Sequence, residues 1–134
     1  MLGPIATALL LASVSGPIQV DVGRANWSTL PPLKAVERVL PSTDMVDRVE
    51  TMLETGACKL QGQTAKKFDI TIPYAVLVEP DGKARRVVVA ETGCAELETF
   101  VGIIVTAMAR EGDFQPTREA KARWFASELN FNLQ

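Results

Sequence analysis

The chain has 134 residues and a mass of 14.5 kDa, which predicts a single compact domain. Its 14 basic and 16 acidic residues leave a net charge of -2, so there is no basic excess to hold a phosphate backbone, and no nucleic-acid partner is expected. Histidine is absent. That excludes Ser-His-Asp and Cys-His catalytic sets and every histidine metal site. A hydrophobic fraction of 47% with 22% charged residues is the composition of a folded chain.

Residues 1–16, MLGPIATALLLASVSG, carry no charge, and Ile5 to Val14 is an apolar run broken only by Thr7 and Ser13. This run is shorter than the ~20 residues that span a bilayer, so no stable transmembrane anchor is expected. It suits the apolar region of a secretory signal, with cleavage expected after Ser13-Val14-Ser15. No Lys or Arg precedes it, and Pro4 and Pro17 lie near its ends. An anchor extended upstream and a buried N-terminal segment are the other two readings.

Cys58 and Cys94 are the only cysteines, with neither C-x-x-C spacing nor a four-ligand zinc set. In an exported chain two cysteines most simply form one structural disulfide. The other reading is a pair of buried free thiols. The disulfide reading predicts an oxidising compartment, with the periplasm as the expected location.

Residues 17–41 are rich in turn formers, and Pro31-Pro32 is the firmest break. They are read as an irregular arm, with a short helix over Leu33–Val39 ended by Pro41. Trp27 is expected to anchor this arm on a domain that occupies residues 42–134. The first helix is expected from Thr43 to Thr55, with Ser42 or Thr43 as N-cap and Gly56 at the C-terminal turn. Met45, Val49, Met52 and Leu53 form its apolar face.

Phe68 to Val78 alternates as a strand, and Pro73 within it marks a bulge or an outward-facing edge. Glu79-Pro80-Asp81-Gly82 is a tight turn that returns the chain as a second strand, Ala84–Ala90. The second helix spans Ala95–Arg110, with Leu97, Val101, Ile104 and Met108 on one stripe. Gly102, unfavourable in mid-helix, suggests close approach of another backbone, with simple tolerance as the alternative. Ala122–Leu133 closes the chain as a strand whose apolar parity holds Phe125, Leu129, Phe131 and Leu133, with Ser127 as its single polar member. The order helix, strand, strand, helix, strand predicts an α+β fold. Three main antiparallel strands form its sheet, and both helices pack on one face.

From Tyr74 to Leu133 this pattern resembles the C-terminal domain of TonB-type periplasmic proteins. The resemblance rests on the apolar strand, the turn Glu79-Pro80-Asp81-Gly82-Lys83, the strand Ala84–Ala90 and the segment Thr92-Gly93-Cys94. Leu97 opening the helix, Phe114-Gln115-Pro116 as an aromatic-x-proline signature and the closing Phe131-Asn132-Leu133 complete it. The proline-rich spacer of the energy-transducing members is missing, and the cysteine pair departs from the family pattern. The resemblance therefore implies a short, free-standing relative. It also implies binding of an extended peptide or envelope protein by strand addition to the sheet edge. The candidate surface is the last strand, with Arg123, Trp124, Ala126, Glu128, Asn130 and Asn132 as partner-binding residues. The alternative reading is that Arg118, Lys121 and Arg123 protect that edge by charge. A structural module that pairs the same edge in a homodimer is the competing reading.

The residues build no catalytic site. Glu79 and Asp81 flank a turn, and Glu96 and Glu98 do not share a helix face. Gly62-Gln63-Thr64-Ala65-Lys66 resembles a phosphate loop only superficially, because it precedes a strand. Lys83, Arg85 and Arg86 are read as solvated hairpin surface. No enzyme activity, cofactor or metal is expected.

Overall fold

The computed structural model describes residues 18–24, 26–34, 41–111, 114 and 119–134. The expected signal segment lies outside these residues. Within them the order is β1 (Gln19–Gly23), α1 (Thr43–Glu54), β2 (Phe68–Val78), β3 (Ala84–Ala90), α2 (Ala95–Arg110) and β4 (Arg123–Leu133). The strands form one mixed sheet in the order β1-β3-β2-β4. The fold is α+β, with both helices on one face of the sheet.

The expectation of three strands is corrected to four. Gln19–Gly23, read as irregular arm, pairs parallel with β3 in the register Val20↔Val87 and Val22↔Val89. Its five residues alternate Gln, Val, Asp, Val, Gly, a period-2 pattern that the neighbouring prolines and glycines obscure. Asp21 locks the register by accepting from the Arg86 guanidinium at 2.9 Å. The helix expected at Leu33–Val39 does not begin there: Leu33 and Lys34 are non-helical, and residues 35–39 lie outside the described ones.

Ser42 is the N-cap of α1, its Oγ accepting from the Met45 amide at 3.3 Å. Gly56 follows the helix at φ 81°, where a side chain would be strained. The β2–β3 turn closes through the Gly82 amide on the Glu79 carbonyl at 2.9 Å, with Gly82 at φ 91°. Just inside it the register slips between Leu77 and Val78, which face Arg86 and Ala84. Arg85 is thus the extra residue of an irregularity that the sequence assigned to Pro73 as one of two options.

Pro73 itself is explained by strand order. Ala126 of β4 turns its amide and carbonyl away from β2. In an antiparallel ladder its pair mate Ala75, and Pro73 two residues back, therefore direct their backbone groups towards β3. The β2–β3 ladder ends at Tyr74↔Val89. Pro73 sits one step beyond it, at the end of the ladder with β3, so its missing N–H costs at most the terminal bond.

Phe68, Ile70, Ile72, Tyr74, Val76 and Val78 of β2 point into the core with Val87, Val89, Leu129 and Phe131. Leu97, Val101, Ile104, Val105 and Met108 of α2, and Val49 and Met52 of α1, cover them. Cys58 and Cys94 form the expected disulfide, with Cα atoms 5.3 Å apart. It ties the exit of α1 to the entrance of α2.

Candidate partner-binding edge

β4 is an outer strand of the sheet, and all eleven of its residues pair with β2, from Phe68↔Leu133 to Val78↔Arg123. Its odd-numbered side chains face the helices and its even-numbered ones the opposite face. Because the Ala126 backbone groups point outward, those of Trp124, Glu128, Asn130 and Asn132 do so by the same parity. These residues were named from the sequence as the partner surface. The structure gives them different surroundings.

Ala126 is already occupied. Its amide donates to the Pro31 carbonyl at 3.0 Å, and its carbonyl accepts from the Leu33 amide at 2.8 Å. Together these make a parallel bridge between Pro32 and Ala126. The arm therefore makes an isolated one-residue bridge on the β4 edge. Residues before prolines are confined to extended conformations; Leu30 and Pro31 both precede one, so Pro31-Pro32 marks an extended segment and not only a break. That signal was present in the sequence, and Pro31 and Leu33 were missed as edge partners.

Trp124 is half-buried, and the Arg86 guanidinium lies 5.9 Å from its ring centroid. Asp21, Arg86 and Trp124 thus form a row across the sheet face opposite the helices. Arg123 pairs with Glu119, while Arg118 lies outside the described residues. Asn130 does not project freely: its Nδ2 donates to Asp69 Oδ1 at 2.6 Å and Thr71 Oγ1 at 2.8 Å. Glu128 and Asn132 are exposed. Among the described residues, no strand pairs with the outward backbone groups of Glu128, Asn130 and Asn132.

The arm and the sheet together enclose an open cavity of about 530 Å³. Trp27, Leu30 and Pro32 line it on one side, and Pro73, Ala90 and Ala126 on the other. Trp27 is half-buried here, as expected for an arm anchor. Ala75 is buried on this face although no helix covers it. A second cleft of about 270 Å³ lies between the helices, lined by Arg48, Met52, Phe100 and Ile103.

The ionisable groups that depart from ordinary behaviour lie elsewhere. Arg24 donates to Glu91 at 2.6 Å, and this hydrogen bond and charge hold the exposed Glu91 carboxyl below its usual value. Burial raises the Tyr74 phenol above its ordinary value, opposed by a hydrogen bond with Ser127. Glu98 is buried, and its Oε2 accepts from the Thr92 amide at 2.6 Å, the Thr92 hydroxyl at 2.9 Å and the Gly93 amide at 3.1 Å. It acts as a clamp on the segment entering α2. Among the described residues, no group of His, Cys, Asp or Glu is placed to hold a metal ion. Nor is any helix among them long and apolar enough to cross a membrane.

No family model matches this chain, and no curated protein or solved structure gives a significant match.

Proposed function

We propose that the chain is an exported, non-enzymatic protein-interaction domain, a short relative of the TonB C-terminal type. It captures an extended peptide or a segment of an envelope protein along the outer edge of β4. The observation that carries this reading is the bridge at Ala126. An edge that bridges to an extended segment of its own arm has the geometry to accept one from a partner, and the backbone groups from Glu128 to Asn132 extend that offer. The Cys58–Cys94 disulfide supports an oxidising compartment.

The test is selection of peptides from a displayed random library on the oxidised protein, followed by titration against Glu128→Pro. Proline on an edge strand is tolerated where the lost N–H faces outward. A selected peptide should bind the parent and lose about tenfold or more in affinity on the variant. Equal affinity would place the site elsewhere. A concentration-dependent dimer without peptide would favour the self-associating module instead. Intact-mass analysis of the protein from its native host tests export through cleavage near Gly16.

A further inference from the structure

The arm that bridges Ala126 does more than cover the sheet. Among the described residues it reaches the β4 edge through two backbone hydrogen bonds, from Ala126 to Pro31 and from Leu33 to Ala126, with the Leu33 side chain packed against the core. Pro32, at the centre of the bridge, has no amide of its own, and Pro31 has none either. The contact is therefore a short, proline-bounded latch and not a full strand of the sheet. Beside it lies the open cavity, in which Trp27, Leu30 and Pro32 meet Pro73, Ala90 and Ala126. Such a contact has the form of a bound ligand: main-chain pairing to an edge, with side chains seated on the adjoining face.

We propose that residues 26–34 are a built-in competitor for the β4 edge. The arm occupies the site in cis, and a partner strand must displace it at Ala126 to pair along the whole edge. This rests on the reading of β4 as a strand-addition site and deepens it in two respects. It makes the apparent affinity depend on the fraction of molecules with the arm released. It also names the chemistry the edge accepts, because the seated segment Leu30-Pro31-Pro32-Leu33-Lys34 is the one ligand seen on it. The partner is an extended segment with proline between apolar residues, followed by a basic residue. The basic position has a physical reason. Continuing the parallel register by two residues sets Lys34 opposite Glu128, an exposed carboxylate on the same sheet face.

The experiment uses the full oxidised chain and a labelled synthetic peptide of residues 26–36, followed by fluorescence anisotropy. Leu33→Pro removes the donor to the Ala126 carbonyl and unlatches the arm. Ala126→Pro removes the donor on the edge itself. The peptide should bind Leu33→Pro roughly tenfold more tightly than the parent, and Ala126→Pro should bind it weakly or not at all. Hydrogen exchange supplies a second readout: the Ala126 amide should be protected in the parent, exchange quickly in Leu33→Pro, and regain protection when peptide is added. Equal peptide affinity for parent and Leu33→Pro, or an Ala126 amide unprotected in the parent, overturns the competitor. The same panel separates this from the wider reading. Library peptides that bind parent and Leu33→Pro equally, but not Glu128→Pro, would keep the edge as a site and remove the arm as its competitor. Peptide 26–36 binding to Leu33→Pro while no library peptide binds either protein would keep the latch and remove the partner.

Discussion

Tyr74 of β2 and Ser127 of β4 stand opposite each other in the sheet, on its helix-facing side, the tyrosine buried and the serine half-buried. Tyr74 is the only tyrosine, and Ser127 is the single polar residue on the core-facing parity of β4. Burial of the phenol disfavours phenolate, which raises the pKa; Ser127, able to donate to phenolate, opposes the shift. The folded protein thus keeps a proton that the unfolded chain releases near pH 10. The stability this provides is complete below that pH and is lost as pH rises through the folded value. An ultraviolet titration should show no phenolate step until clearly above pH 10 in the native protein, and an ordinary step in denaturant. Ser127→Ala should raise the native value further and destabilise the fold by about 1 kcal/mol. A native step at the ordinary value would mean that the phenol reaches solvent.

Gly102 is the point at which α2 admits β1. A Cβ at this position would lie 2.8 Å from Val20 Cγ1, well inside van der Waals contact. Two effects oppose each other in Gly102→Ala. Helix propensity favours alanine by about 1 kcal/mol, while forcing a methyl into a packed contact costs about 1–3 kcal/mol. The clash should win, with a net loss on the order of 1 kcal/mol measured by urea denaturation. The double variant with Val20→Ala should recover most of that loss, because the colliding methyl is then gone. If Gly102→Ala is stabilising by itself, β1 yields without cost and its docking is loose.

Glu98 lies one turn into α2 and reaches back to two backbone amides and a hydroxyl of Thr92-Gly93. The Thr92 hydroxyl in turn accepts from the Cys94 amide at 3.1 Å. Cys94, the N-cap residue, makes no side-chain cap of its own, so Glu98 supplies the order that a Ser or Asp cap would give elsewhere. Glu98→Ala leaves these part-buried donors without their acceptor and should cost about 1–2 kcal/mol in chemical denaturation. Glu98→Gln keeps one acceptor oxygen and should cost less. Equal losses in the two variants would show that charge, and not acceptor geometry, sets the clamp.

The contrast between Gly102 and β1 marks how far the sequence could be read. Periodicity located α1, β2, β3, α2 and β4 closely because each is long enough to repeat its pattern several times. It also marked Gly102 as a point of close approach, although the neighbour proves to be a Val20 side chain. β1 escaped because five residues give only two apolar positions, and its order in the sheet depends on a parallel crossover that no local pattern encodes. The candidate edge was legible as a strand. Its state was not, since the bridge from Pro31 and Leu33 to Ala126 joins segments distant in sequence through backbone atoms, which leave no mark in side-chain identity. The hydrogen bonds of Asn130 were hidden for the same reason: its partners Asp69 and Thr71 lie on another strand.

The Cys58–Cys94 bond closes a loop with a sequence separation of 36. On the chain-entropy model such a loop stabilises the native state by about 4 kcal/mol through restriction of the unfolded chain. Both sulfurs are buried, at 3% exposure for each cysteine, so reductant reaches the bond only after local opening. Two consequences can be measured together. The double variant Cys58→Ala/Cys94→Ala should lose about 4 kcal/mol in denaturant unfolding. The native protein should also resist reduction under conditions that reduce it promptly once urea is added. The position of the bond makes a further distinction. It joins the end of α1 to the start of α2, next to the Glu98 clamp. Glu98→Ala should therefore speed native-state reduction beyond its effect on global stability, while Gly102→Ala, one turn further along the same helix, should not. Acceleration by both in proportion to their losses of global stability would mean that the bond becomes accessible only by global unfolding, with no independent opening at the helix entrance.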